Sequence, residues 1–191
     1  MVARTIRAYV EAGVAGINLE DQILGQPGTK RTVVREVMVE KLTAARGAAR
    51  EAGNAELVLN ARTDALAVAA DRGAGLEEAA ERANAYLAAG GDLAFVTAVA
   101  TMDEVRYLVR EIKGPVSIAA GMPYNLRSLS LKALKDAGVA RVSLPAVAVF
   151  SALRAMTETL RSIRDTEDFA ELIETGRLCG MDDVGGLLQR A

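Results

Sequence analysis

The feature that most constrains this chain is a unit that recurs five times: a helical stretch, a turn of small residues containing glycine, and then a short apolar run rich in β-branched residues. The turns are Glu11-Ala-Gly13 before residues 14–19, Glu51-Ala-Gly-Asn54 before 56–59, Ala89-Gly-Gly91 before 93–96, Lys113-Gly114 before 115–118, and Asp136-Ala-Gly138 before 140–144. Glycine just past a helix end supplies a left-handed cap, so each turn marks the passage from helix to strand. The pattern predicts helices over 32–52, with Val33, Val37, Leu42 and Ala45 inward, and over 76–89, 102–112, 128–137 and 146–164. Thr101 caps the third of these, and Asn125 or Ser128 the fourth. Strand alternating with helix at the spacing of a βαβ unit argues for a parallel sheet.

Two of the runs end abruptly in polar groups: Gly16-Ile-Asn-Leu-Glu-Asp-Gln22 and Leu57-Val-Leu-Asn-Ala-Arg-Thr-Asp64. A buried parallel strand delivers side chains to the carboxyl edge of its sheet in this way. One edge thereby collects Glu20, Asp21, Arg62 and Asp64. Such a set suits a hard cation such as Mg²⁺ or Mn²⁺, held by oxygen, and a small acid held bidentately by the guanidinium. Ion pairs that merely cap the sheet rim would give the same spacing.

Composition narrows the function. With 23 basic and 25 acidic residues, three Phe, four Tyr and no Trp, the chain has neither the charge footprint nor the stacking surface of a nucleic-acid binder. No apolar stretch is long enough to cross a bilayer, and Met1-Val-Ala-Arg-Thr-Ile-Arg7 lacks the apolar core of a signal peptide, so no membrane partner and a cytoplasmic location are expected. The absence of histidine removes Ser-His and Cys-His nucleophiles and His-ligated zinc, leaving acid–base work to Glu, Asp, Lys, Tyr, Cys or water. The lone Cys179 sits in a Gly-rich tail with nothing nearby to lower its pKa, and is read as inert.

Five linked βα units fit either a doubly wound sheet or part of a (β/α)₈ barrel. The first strand runs into Glu20-Asp21-Gln22 rather than a Gly-x-Gly-x-x-Gly loop, and Gly25-Gln-Pro-Gly28 makes no phosphate cradle, so the barrel is favoured. A whole barrel takes about 250 residues; the expectation for 191 residues is a partial α/β barrel of the (β/α)₈ TIM-barrel type over 1–165 with a helical tail over 166–191.

Ala3-Arg-Thr-Ile-Arg7, Ala12-Gly-Val-Ala-Gly-Ile-Asn-Leu-Glu-Asp-Gln22, Asn60-Ala-Arg-Thr-Asp-Ala65, Gly91-Asp-Leu-Ala-Phe95, Gly114-Pro-Val116 and Arg141-Val-Ser-Leu-Pro145 together resemble the isocitrate lyase/phosphoenolpyruvate mutase superfamily, most closely its phosphonomutase-like members. The resemblance implies a Mg²⁺-dependent lyase or mutase that makes or breaks a C–C or P–C bond beside the carbonyl of a 2-oxo acid, through an enolate. It places Glu20 in the Mg²⁺ shell and Arg62 on the substrate's carboxylate or phosphonate, and makes both catalytic. Asn60 and Thr97 are expected to contact substrate or else to cap backbone groups at the strand ends.

Departures from the family pattern shape further expectations. The family's Asp-x-Asp-x-Gly-Tyr-Gly motif, which holds Mg²⁺, is not found in this sequence, and Leu24-Gly-Gln-Pro-Gly28 stands where the lyases carry a cysteine loop. Weak Mg²⁺ binding is therefore expected, and isocitrate or methylisocitrate cleavage is put in doubt. The alternative is a truncated, catalytically inactive paralogue that serves as an oligomeric or small-acid-binding protein. The start inside a family helix suggests either a homo-oligomer or an N-terminal barrel half supplied by another chain. Helix 146–164, with Val147, Phe150, Leu153 and Met156 on one face, is expected to pack at home, although family members often exchange this helix with a neighbouring subunit. The tail, with Leu172, Ile173, Leu187 and Leu188, is expected to pack on the body or on a partner.

Overall fold

The computed structural model describes residues 1–23 and 30–188. The Leu24-Gly-Gln-Pro-Gly28 loop and the side chains of Leu187 and Leu188 lie outside the description. Two compact units are present, Met1–Pro145 and Ala146–Ala191.

In the first unit the order is α1 (Val2–Glu11), β1 (Gly16–Glu20), α2 (Arg35–Glu51), β2 (Val58–Thr63), α3 (Ala65–Val68), α4 (Arg72–Ala88), β3 (Leu93–Val96), α5 (Met102–Glu111), β4 (Val116–Ala119), α6 (Leu131–Asp136) and β5 (Arg141–Ser143). The five strands form one parallel sheet in sequential order. This is the expected partial α/β barrel. Gly13 and Gly90 close their helices with φ of +74° and +106°, the region where a side chain is strained, as predicted.

Period-2 alternation sorts the strands into two faces. Ile17, Leu19, Leu59, Ala61, Ala94, Val96, Val116 and Ile118 turn toward the helices and form the core with residues such as Ile6, Met38, Leu42, Tyr86 and Leu108. The other face carries Asn18, Glu20, Asn60, Arg62, Phe95, Ser117 and Arg141. Gly16 lets β1 and β2 approach there, because a Cβ at this position would lie 2.9 Å from that of Val58.

Boundaries moved where polar side chains obscured the pattern. β2 does not stop at residue 59 but runs to Thr63, since Asn60 and Arg62 are simply its second face. α2 starts at Arg35 rather than 32, because Thr32 bridges to Gln22 and the Val33 N–H donates to the Asp21 carbonyl at 2.8 Å. Val37 consequently faces solvent and Met38 takes the inward place. α4 begins four residues before the predicted start, capped by Asp71, which accepts from the Ala74 N–H at 2.8 Å. Thr101 and Glu104 form the reciprocal capping box of α5. The cap of α6 is Ser130 rather than Asn125 or Ser128. Asn125 is instead buried, accepting from the Met122 N–H and donating to the Val99 and Ala119 carbonyls, each at 2.9 Å, so it fixes the loop after β4.

The second unit contains α7 (Val147–Thr166), α8 (Ala170–Glu174) and α9 (Met181–Leu188). No residue of α7 is buried: Val147, Phe150, Leu153 and Met156 are all exposed. In the tail Leu172 is buried and Ile173 exposed. Among the described residues no helix is long and apolar enough to cross a membrane.

Candidate functional site

The carboxyl ends of β1, β2 and β3 bring Glu20, Arg62, Asp64 and Thr97 together. Glu20 and Arg62 are register partners on neighbouring strands, and Arg62 Nη1 meets Glu20 Oε2 at 2.9 Å. The chain turns after Thr63, which returns Asp64 to the same guanidinium: Nε donates to Oδ2 at 2.9 Å and Nη2 to Oδ1 at 3.0 Å. Arg62 Nη2 also donates to Gln22 Oε1 at 3.3 Å, and the cation lies 5.9 Å from the Phe95 ring centroid. Thr97 Oγ1 donates to Asp64 Oδ1 at 3.0 Å, and Lys30 Nζ approaches it at 3.8 Å. Burial alone would lower the Arg62 pKa, but Asp64, then Glu20 and Asp21, more than reverse this and hold it above the ordinary value.

Asp21 does not join this cluster. One residue beyond Glu20, it points toward the helices and is fully buried. Its Oδ2 accepts from Thr63 Oγ1 at 2.8 Å, Tyr86 Oη at 2.8 Å and Arg82 Nη1 at 3.2 Å, while Oδ1 accepts from the Asp64 N–H at 2.9 Å. A buried carboxylate demands such saturation. Burial, followed by the Asp21 charge, pushes the Tyr86 phenol up and keeps it a donor. The α4 side chains Arg82 and Tyr86 thereby lock the turn that presents Asp64, a role that nothing local in the sequence announces.

Arg62 and Thr97 line a cavity of about 330 Å³ with Lys30, Phe95, Tyr124 and Ser143. Asn60 is one layer lower, lining an adjoining cavity of about 260 Å³ with Arg141; Asn18 borders both. Asn60 Nδ2 donates to Asn18 Oδ1 at 2.7 Å, while its own Oδ1 is buried without a partner. Lys30 and Tyr124 were not singled out from sequence. Tyr124 follows a Gly-Met-Pro turn, and burial raises its phenol pKa against the opposing pull of the Ala98 backbone and Arg72. After Thr97 the chain passes through Ala98 at φ +62°, held there by Arg72 Nη2, which donates to the Ala98 carbonyl at 2.6 Å. Cys179 is exposed in the second unit.

The donor set does not amount to a metal cage. Among the described residues no three Asp, Glu, Cys or His side chains converge, and both Glu20 and Asp64 are tied to Arg62. The residues present therefore do not fit Mg²⁺ by themselves.

Parallel βα units define a barrel-type α/β protein, and the charged cluster lies at the carboxyl edge, where such barrels hold their chemistry. The chain belongs to the phosphoenolpyruvate phosphomutase family, whose profile matches residues 1–164. It is 34% identical over 174 residues to a 2-methylisocitrate lyase of Aeropyrum pernix, covering 86% of this chain and 51% of that protein. It is also 30% identical over 181 residues to 2,3-dimethylmalate lyase of Eubacterium barkeri, covering 91% and 59%. The chain thus spans about half the length of these relatives, and 38% of a Shewanella oneidensis 2-methylisocitrate lyase. Among solved structures, oxaloacetate acetylhydrolase in complex with its product oxalate superposes with a TM-score of 0.75 at 27% identity, covering 98% of this chain and 64% of the other. A Burkholderia cenocepacia structure superposes with a TM-score of 0.81 at 29% identity, covering 97% and 63%.

Proposed function

We propose that this chain serves a lyase or mutase reaction on a small 2-oxo acid, or a phosphonate of similar shape, gripped at Arg62. The observation that carries the reading is a guanidinium clamped on one side by a buried aspartate while lining an open cavity. Making or breaking a C–C or P–C bond beside a carbonyl passes through an enolate. A fixed cation beside the developing charge stabilises it without reorganising, and losing one such donor costs about 10²–10³ in rate. In this reading Arg62 binds and orients the acid, Thr97 and Lys30 hold Asp64, and Glu20 lies beside the same guanidinium. The relatives support the substrate class, since oxaloacetate acetylhydrolase is seen with oxalate and with 3,3-difluorooxalacetate.

Calorimetric titration of oxalate and pyruvate tests the reading. Arg62→Lys should weaken binding about 100-fold, because lysine cannot offer two parallel donors, and should lower the melting temperature modestly, because the buried Asp64 keeps a cation but loses its bidentate pair. If the variant binds both acids as tightly as wild type, the cluster is a rim ion pair.

A second reading, an inactive small-acid-binding or oligomeric protein, is supported by the filling of both guanidinium edges by the chain's own residues. Arg62-dependent acid binding without turnover of any 2-oxo acid or phosphonate would favour it. The free edges of β1 and β5 among the described residues leave backbone groups unpaired, a liability that proteins cover. A second copy, or a barrel segment from another polypeptide, is the proposed cover. A sharply melting monomer in light scattering after size exclusion would count against it.

A further inference from the structure

A guanidinium has two edges at which parallel N–H groups can receive a carboxylate: Nε with Nη2, and Nη1 with Nη2. In Arg62 the first edge is filled by Asp64, whose side chain is 0% exposed and which Thr97 also holds. The second edge is met from the end of β1: Nη1 pairs with Glu20 Oε2 at 2.9 Å as an ion pair without hydrogen-bond alignment, and Nη2 donates to Gln22 Oε1 at 3.3 Å. The two fillings are unequal. Asp64 cannot leave without stranding a buried charge, and the Asp21 network fixes its backbone. Glu20 is 30% exposed, and Gln22 is neutral, part-exposed and at the long end of hydrogen-bond range.

We propose that Glu20, aided by Gln22, is a built-in stand-in for the substrate carboxylate: it occupies the recognition edge of Arg62 when no acid is bound, and the incoming acid displaces it. The inference rests on the Arg62 reading above and gives Glu20 a part different from metal holding. Two consequences follow for selectivity. To displace both oxygens the ligand must offer a planar pair, as a carboxylate does and a halide does not. Once displaced, Glu20 stays at the edge of the site and repels a dianion more than a monoanion.

The test is titration of oxalate and pyruvate in EDTA-containing buffer against wild type, Glu20→Gln, Glu20→Ala and Arg62→Lys, with melting temperatures recorded alongside. Removing the Glu20 charge should tighten oxalate binding about fivefold or more, a scale set by partly exposed ion pairs, and pyruvate binding less. Arg62→Lys should lose both. If wild type binds in an Arg62-dependent way but neither Glu20 variant binds more tightly, the displacement idea fails while the Arg62 reading stands. If neither wild type nor the Glu20 variants bind either acid, both fail.

Discussion

Two arginines bracket the sheet, and they are satisfied in different currencies. At the amino end Arg46, on α2, donates from Nη1 to the Leu57 and Ala55 carbonyls at 2.9 and 3.0 Å and from Nη2 to the Gly90 carbonyl at 2.8 Å, and pairs with Asp92 at 2.5 Å. At the carboxyl end Arg62 meets two carboxylates and one amide. Backbone carbonyls have nowhere to go, so Arg46 is a staple across α2, β2 and the turn before β3. Of the two carboxylates on Arg62, Asp64 is buried and fixed while Glu20 is 30% exposed and can swing away, and Arg62 lines a cavity. An arginine saturated by backbone marks architecture; one whose outer partner is a part-exposed acid is the place where the proposed exchange would occur.

Arg46→Ala should break the comparison most violently. It strands the Leu57 and Gly90 carbonyls and leaves Asp92 with the Leu59 N–H alone, costing about 3 kcal/mol, or roughly 6–12 °C in melting temperature for a chain of this size. Acid binding at the far rim should persist, as differential scanning fluorimetry with and without oxalate would show. Arg62→Lys should weigh the other way, with binding lost about 100-fold and melting lowered less than by Arg46→Ala, since a cation stays beside the buried Asp64.

A smaller effect lies at Glu104, which accepts from Arg72 and from the Ala100 N–H. Burial would raise its pKa, but Arg72 and the backbone donors hold it below the ordinary 4.5. A depressed folded value means that its stabilisation is present above pH 4.5 and lost as pH falls through the folded value. Glu104→Gln should therefore cost about 1–2 kcal/mol at neutral pH and flatten the acid limb of the stability profile, followed by urea melts across pH. The smallest expected change is Ala98→Gly. It removes left-handed strain at φ +62° and should raise stability by about 0.5–1 kcal/mol in the same melts.

The βα order and the barrel type were legible because turn glycines and apolar runs are local signals. The end of β2 was not. The pattern ends the strand at 56–59, whereas Asn60 and Arg62 belong to it, and only the curled sheet's polar inner face explains them. The same alternation separates Glu20 from Asp21, neighbours in sequence that face a guanidinium and a buried helix network respectively. Thr97 on Asp64 and Arg82 on Asp21 join residues 33 and 61 positions apart, contacts that no spacing rule reaches. That Arg62 and Glu20 meet was legible because each stands at the end of its strand. Lys30 and Tyr124 lie on loops, whose placement the chain's tertiary structure decides.

The guanidinium NMR resonances of Arg62 and Arg46, followed together during an oxalate titration, test the central claim most directly. Arg62 should change environment saturably as its Nη1/Nη2 edge exchanges protein oxygens for ligand oxygens, while Arg46 stays fixed at the opposite rim. Unchanged Arg62 resonances at saturating oxalate, or equal movement of both arginines, would contradict the account.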